Sequence, residues 1–298
     1  MEEFLSGFVS LIGSPNVGKS TLLNEYLGKK IAIVSKKAQT TRNKIVGILT
    51  EHNYQIVFLD TPGVHVPHTK LGQFMVQTAY HASSDADISI ILIDGKMGLG
   101  DRDREIIAKI SKNSDFAVAI NKIDLIEKSQ VVEIIGQLKK MGVPEDRIFA
   151  ISAKKGLHTD ALKEFIISKL IPGPKFYPDD MITDQPERAI AAEMIREKAL
   201  KLLDKEVPHG IGVDIERFTQ DEQKDILYID AVIYCERNSH KGIIIGKNGS
   251  MLKKIGMYAR EDLEHLFGQQ VCLRTFVKVK ADWRNSAFML KQLGYRQE

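Results

Sequence analysis

Cysteine is scarce in this chain: Cys235 and Cys272 are the only two among 298 residues. They match no metal-ligand or dithiol spacing, which excludes a disulfide framework and a cysteine metal site. Both read as small core or strand residues of a protein in a reducing compartment. Long apolar runs are also missing. The longest, such as residues 88–93, are strand-sized, against the roughly 20 residues that a spanning helix needs. Neither an internal repeat nor a low-complexity tract is present, and the stretch Met1-Glu2-Glu3-Phe4 lacks a signal-peptide pattern. No sign of charge dominates, since the formal net charge is only +3.

That balance conceals an uneven distribution. Residues 171–230 hold 8 Lys and Arg against 14 Asp and Glu, whereas residues 231–298 hold 12 against 6. A basic surplus confined to one end is the footprint expected for a nucleic-acid partner. With 43% hydrophobic residues, the chain has enough apolar side chains for the cores of two ordinary domains. The first 170 residues alternate strand and helix patterns, implying an α/β domain with a mostly parallel sheet covered on both faces. Residues 45–50 and 55–59 are the expected hairpin exception. Prolines gather at 172, 174 and 178, ending the last helix of that domain. The reading therefore gives a first domain over 1–171, a proline-rich linker over 172–185 and a second domain over 186–298.

Four short segments carry the chemistry of the first domain. Gly13-Ser14-Pro15-Asn16-Val17-Gly18-Lys19-Ser20 lies between a predicted strand at 8–12 and a predicted helix at 20–27. Glycines there let successive N–H groups curl toward phosphate oxygens at a helix N-terminus. Lys19 would face the β- and γ-phosphates, Ser20 would offer its hydroxyl to Mg2+, and Thr21 follows on the same turn. Asp60-Thr61-Pro62-Gly63 ends another strand, where Asp60 can hold the metal through a water and the Gly63 N–H can reach the γ-phosphate. Asn121-Lys122-Ile123-Asp124 supplies one carboxylate, Asp124, for the paired N1–H and N2 amine of guanine. Adenine would leave that carboxylate unpaired, a discrimination of roughly 10⁴-fold or more. The Lys122 stem can cover the base, and Ser152-Ala153-Lys154 can offer a backbone N–H to the guanine O6. Within Gln39-Thr40-Thr41-Arg42, a threonine could complete the magnesium shell only while triphosphate is bound; Thr41 is favoured over Thr40.

One residue is lacking here as well. Gly63 is followed by Val64 and His65, where many nucleotide hydrolases place a water-orienting glutamine. Slow unaided turnover is expected. A partner or an ion would have to complete the machinery, and His65 reads as a loop histidine in preference to a base.

The second domain reads as an α+β module in the order helix, strand, strand, helix, Gly-x-x-Gly, helix, strand. Its first helix, 186–203, has Ile190, Met194, Ile195, Ala199, Leu202 and Leu203 on one apolar side. The segment Gly246-Lys247-Asn248-Gly249 would let a sugar–phosphate backbone approach closely, with Ile243 and Ile244 lining a groove for unstacked bases. Lys253, Lys280 and Arg284 could flank that groove.

Taken together, these segments resemble the Era family of bacterial GTPases, a P-loop G domain followed by a KH-type domain, over essentially the whole chain. The resemblance implies a GTP/GDP switch that binds small-subunit ribosomal RNA near its 3′ end and acts in assembly of the small ribosomal subunit. It further implies a cytoplasmic monomer with peripheral association with the inner face of the cell membrane. Asn16 resembles the residue that some related GTPases use to recruit K+, which makes potassium a candidate activator of hydrolysis beside Lys19 and Thr41. Two other classes stay open: a constitutive RNA-binding protein with negligible turnover, and a nucleotide kinase, against which Asn121 and Asp124 argue.

Overall fold

The computed structural model describes residues 3–35, 37 and 39–296; Met1 and Glu2 of the amino-terminal stretch lie outside them. The chain divides into two compact units. The first gathers residues 1–32, 41–66 and 75–184, and the second residues 33–40, 67–74 and 185–298.

The strands of the first unit are β1 (Leu5–Gly13), β2 (Ile45–Thr50), β3 (Tyr54–Asp60), β4 (Ile88–Asp94), β5 (Asp115–Asn121), β6 (Ile148–Ala150) and β7 (Ile171–Pro172). The chain's first five helices are α1 (Lys19–Leu27), α2 (Lys70–Ser84), α3 (Asp101–Ile110), α4 (Lys128–Lys140) and α5 (Thr159–Ser168), with α2 beginning in segment 67–74 of the second unit. The sheet runs β2-β3-β1-β4-β5-β6, with β7 paired antiparallel to the start of β1. Pairing is parallel along β3-β1-β4-β5-β6, and the predicted hairpin of β2 and β3 is antiparallel.

Side-chain alternation explains why these strands are apolar almost throughout. Leu11, Ile90, Ala117 and Ala119 turn to one face, where Leu22 and Leu23 of α1 and Leu162 and Ile166 of α5 cover them. Ile12, Ile91, Val118 and Ile120 turn to the other, against Ile106 and Ile107 of α3 and Ile134 and Leu138 of α4. Burial on both faces fixes the strands. Their carboxyl ends then deliver residues 13, 60 and 121 to one edge, the place where open α/β sheets bind ligands.

The stretch expected as a linker has partners inside the first unit. Gln55 Oε1 accepts from the Phe176 N–H at 2.7 Å and the Tyr177 N–H at 3.0 Å, while its Nε2 donates to the Tyr177 carbonyl at 2.9 Å. The Ile48 N–H donates to the Ile182 carbonyl at 2.9 Å, and Thr183 Oγ1 donates to the Val46 carbonyl at 2.6 Å. Residues 176–183 thus lie along β2 and cover the sheet edge, a common protection against edge pairing. This gives the chain near 172–184 a defined path.

The second unit contains α6 (Glu187–Leu202), β8 (Gly212–Asp221), β9 (Ile226–Cys235), α7 (Asn238–Ile245), α8 (Ser250–Phe267), β10 (Gln270–Val279) and α9 (Ala287–Gln292). Its sheet order is β10-β9-β8, antiparallel between β8 and β9 and parallel between β9 and β10. Leu227, Ile229, Ala231 and Ile233 alternate along β9 onto a core shared with Ala191 and Ile195 of α6 and Ile255, Ala259 and Leu263 of α8. Trp283 is fully buried, donates its Nε1–H to the Gly210 carbonyl at 2.8 Å and stacks on Tyr295.

Helix α6 departs from the one-sided pattern expected of it. Ile190 and Leu202 are only partly buried, whereas Arg196 and Glu197, polar in the sequence pattern, are fully buried. The reason is segment 33–40 of the same unit. Glu197 Oε1 accepts from the Val34 N–H at 2.9 Å, and Arg196, ion-paired to Glu193, donates to the Thr40 carbonyl. No helix among the described residues is long and apolar enough to cross a membrane.

Candidate nucleotide site and nucleic-acid interface

The phosphate-type loop occupies the turn from β1 to α1, and Lys19, the first residue of α1, is buried within it. Its ammonium donates to the Gly13 carbonyl at 3.1 Å and the Ser14 carbonyl at 3.0 Å. Burial pushes the Lys19 pKa down to about 8, against the pull of Asp60 and Asp103. An anionic ligand would favour the ammonium form, which has one N–H beyond the two that the carbonyls take. Val17 has its side chain in the core, so only its backbone can serve the loop. Gly63 packs directly on the loop: a Cβ there would meet Pro15 Cα at 2.7 Å and Pro15 N at 2.8 Å. This close approach requires glycine and brings the 60–63 segment against 13–20.

Three predicted metal-shell residues converge. Ser20 Oγ donates to Asp60 Oδ2 at 2.6 Å and lies 2.9 Å from Thr41 Oγ1. Thr40, by contrast, turns its hydroxyl to the Lys37 carbonyl at 2.7 Å. Of the two threonines, Thr41 is the one beside Ser20. Asp60 is fully buried, and its Oδ1 has no hydrogen-bond partner among the described residues. Burial pushes its pKa up to about 6, opposed by Lys19 and by the hydroxyls of Ser20 and Thr41. A buried carboxylate oxygen without a donor, flanked by two hydroxyls, is a donor set suited to a hard divalent cation such as Mg2+. Thr61 lies beside Asp60 in the same segment. It is fully buried, and its hydroxyl donates to the Leu11 carbonyl at 2.7 Å, a strand-to-strand tie that leaves no side-chain group for a ligand. Val64 is buried in the core with its N–H on the Gly13 carbonyl, and His65 Nδ1 lies 2.8 Å from the Gly63 carbonyl.

Asn121 joins the remaining segments. Buried at the end of β5, it donates through Nδ2 to the Val17 carbonyl at 2.8 Å. Its Oδ1 accepts from the Lys122 N–H at 2.8 Å and the Ala153 N–H at 2.9 Å. One amide thus fixes the phosphate loop, the 121–124 segment and the 152–154 segment together. Ser152 Oγ donates to Asp124 Oδ1 at 2.6 Å, setting that carboxylate from the neighbouring loop. Lys122, in a left-handed conformation at φ 67°, donates to the Asn16 carbonyl at 2.6 Å and pairs with Asp94 at 2.5 Å. Among the three N–H groups of 152–154, that of Ser152 goes to Leu157 and that of Ala153 to Asn121. Lys154 is exposed at the end of the segment.

In the second unit, Gly246 (φ 73°) and Gly249 (φ 76°) frame the turn between α7 and α8. Asn248 between them is also left-handed at φ 53°. A Cβ on Gly246 would meet Met251 Cβ at 2.7 Å, so the turn presses on the first turn of α8. Lys247, Asn248, Lys253 and Lys280 are exposed, and Ile243 is 49% exposed at the end of α7. Ile244 does not line a surface. It is fully buried in the core shared with Ile195 and Ile233, because consecutive helical positions cannot face the same way. Arg284 holds Glu236 through two bonds, at 3.0 and 2.6 Å, so its charge is matched locally.

Motif reading missed two further groups. Asp94, at the end of β4, holds Lys122, and Asp103, in the first turn of α3, accepts from Ser14. Neither belongs to a local pattern, although strand-end position could have marked Asp94.

Residues 8–122 match a family model described as 50S ribosome-binding GTPase, and residues 206–284 match one described as KH domain. The chain is 50% identical to the GTPase Era of Caldanaerobacter subterraneus subsp. tengcongensis over 98% of each chain. It is 49% identical to the GTPase Era of Clostridioides difficile over 99% of this chain and 100% of that one. Among solved structures it is similar to Era in complex with MgGDPNP and nucleotides 1506–1542 of 16S ribosomal RNA, at 41% identity and a TM-score of 0.95, covering 99% of this chain and 100% of that chain. A variant of Aquifex aeolicus Era bound to GDP·AlF4− gives 40% identity and a TM-score of 0.94, with the same coverage. On this evidence, a G domain and a KH domain in one chain aligned end to end with these relatives, the protein belongs to the Era family of GTPases.

Proposed function

We propose that this GTPase is a slow nucleotide switch that binds small-subunit ribosomal RNA near its 3′ end and acts in assembly of the small ribosomal subunit. The observation that carries the switch is the meeting of Ser20 Oγ, Thr41 Oγ1 and the buried Asp60 at one point beside Lys19. Ser20 and Thr41 would ligate Mg2+, with Asp60 close behind them, and the ion would neutralise charge on the phosphates. Lys19 would turn the N–H not taken by its loop carbonyls toward phosphate oxygens. Asp124, held by Ser152, would select guanine, and the 152–154 backbone would face O6. No side chain at the site serves as a convincing general base, so hydrolysis rests on positioning and electrostatics. Asn16 is the residue through which K+ would act.

For the RNA, support comes from the exposed Lys247 and Asn248 between two glycines, and from the relative solved with nucleotides 1506–1542 of 16S ribosomal RNA. Thr41 directly follows Thr40, whose carbonyl is held by Arg196 of α6. Ordering Thr41 around Mg2+ would therefore strain or release a contact of the second unit, giving a route for nucleotide state to alter RNA affinity. The reading also takes the protein as a cytoplasmic monomer with peripheral membrane association, carried over from the family.

The experiment is phosphate release from GTP with and without K+ and an oligonucleotide of the small-subunit RNA 3′ end. Binding of that oligonucleotide is measured in parallel for the wild type and Lys247→Asp/Asn248→Asp. The proposal expects turnover stimulated by K+ or RNA, and RNA binding lost in the double variant. Unaltered RNA binding in that variant would refute the interface.

A further inference from the structure

Ser14 is restrained at two points. Its carbonyl accepts from Lys19 at 3.0 Å, and its hydroxyl donates to Asp103 Oδ1 at 2.7 Å, 89 residues away in the chain. Asp103 is a firm anchor. It is 9% exposed in the first turn of α3, and its Oδ2 accepts from the Gly100 N–H at 3.2 Å. The same helix is fixed in the core by Ile106, Ile107 and Ile110. Capping of α3 accounts for Oδ2 alone, and a neutral side chain would do it without placing a negative charge near a phosphate site. Oδ1 has a different task.

We infer that Asp103 is a positioning residue for the nucleotide, holding the phosphate loop in place through the hydroxyl of Ser14. This rests on the reading of residues 13–20 as the triphosphate site. The Lys19 ammonium has three N–H donors, two of which go to the Gly13 and Ser14 carbonyls, so phosphate oxygens that need more than the third compete with its hold on Ser14. Arrival of nucleotide therefore weakens the first restraint on Ser14, at the moment the loop N–H groups must be aligned. The second restraint does not draw on Lys19, since it runs from the Ser14 hydroxyl to a carboxylate anchored at the start of α3. The bond from Ser14 to Asp103 keeps the loop curled in the occupied state. A loop set in this way acts on ground state and transition state alike, so its loss weakens binding more than turnover.

The test uses the full chain with Ser14→Ala, Asp103→Ala, the double variant and Ser14→Thr. Calorimetry gives Kd for a non-hydrolysable GTP analogue with Mg2+, and steady-state hydrolysis gives KM and kcat. Each alanine variant is expected to raise Kd and KM about tenfold, the scale of one hydrogen bond to a charged group, with kcat changed less than threefold. The double variant should be no worse than the weaker single, because both remove one interaction. Ser14→Thr, which keeps the hydroxyl, should remain within about twofold of the wild type. Should Asp103→Ala fail to fold, Ser14→Ala against Ser14→Thr decides alone. Wild-type binding with Ser14→Ala unchanged, or effects that multiply in the double variant, overturns this inference only. A wild type that binds no GTP overturns it together with the site.

Discussion

Ser152 Oγ donates to Asp124 Oδ1 at 2.6 Å, so the carboxylate read as the guanine selector is oriented by a residue 28 positions later in the chain. Ser152→Ala should therefore weaken GDP binding by roughly fivefold to tenfold, the loss of one charge-assisted bond. Asp124→Asn goes further. An amide can accept from guanine N1–H or meet N2, but cannot accept from both, and it can donate to the carbonyl that xanthine carries at that position. GDP affinity should fall about a hundredfold or more while xanthosine diphosphate gains, measured by calorimetry with Mg2+.

Thr41 and Thr40 are adjacent, yet only Thr41 lies beside Ser20. Thr41→Ala should reduce the Mg2+-dependent preference for a GTP analogue over GDP by about tenfold and lower kcat, leaving GDP affinity nearly unchanged. Thr40→Ala should leave that preference intact. Equal effects of the two variants in a magnesium titration would contradict the assignment.

Asp60 illustrates function held against stability. Its folded pKa lies near 6, above the ordinary 3.8, because the carboxylate is buried. Its stabilising protonated form is fully present below about pH 4 and lost as pH rises through 6. In nucleotide-free protein, Asp60→Asn should therefore stabilise the fold by roughly 1–3 kcal/mol at pH 7.5, and the gain should vanish by about pH 4. The same variant should lose the stabilisation that Mg2+ and GTP analogue give the wild type. Urea unfolding at several pH values, with and without ligand, measures both.

Asn121 satisfies three backbone groups on three segments, two of them in buried bonds. Asn121→Ala should cost about 2–4 kcal/mol in denaturant unfolding and abolish measurable GDP binding, since each orphaned group keeps its desolvation penalty. Unchanged stability would show that water replaces the amide without loss.

The four segments read as a nucleotide site stood out because phosphate, magnesium and guanine each demand particular atoms at short, fixed spacing. Their strands were legible because alternate residues such as Leu11 and Ile12 fill two opposite cores. What escaped the sequence is mostly long-range. Ser14 and Asp103 meet only after β4 and α3 are in place. Helical periodicity marked Ile190 and Leu202 but had no means of showing that segment 33–40 would bury Arg196 and Glu197. The run of residues 243–245 showed apolarity without facing, and the structure sends Ile244 to the core while Ile243 stays at the surface.

The central claim is a purine pocket built around Asp124, and side-by-side calorimetry of GDP and ADP with Mg2+ tests it most directly. The account predicts tight GDP binding and ADP affinity at least about a thousandfold weaker. Comparable affinities for the two would contradict it.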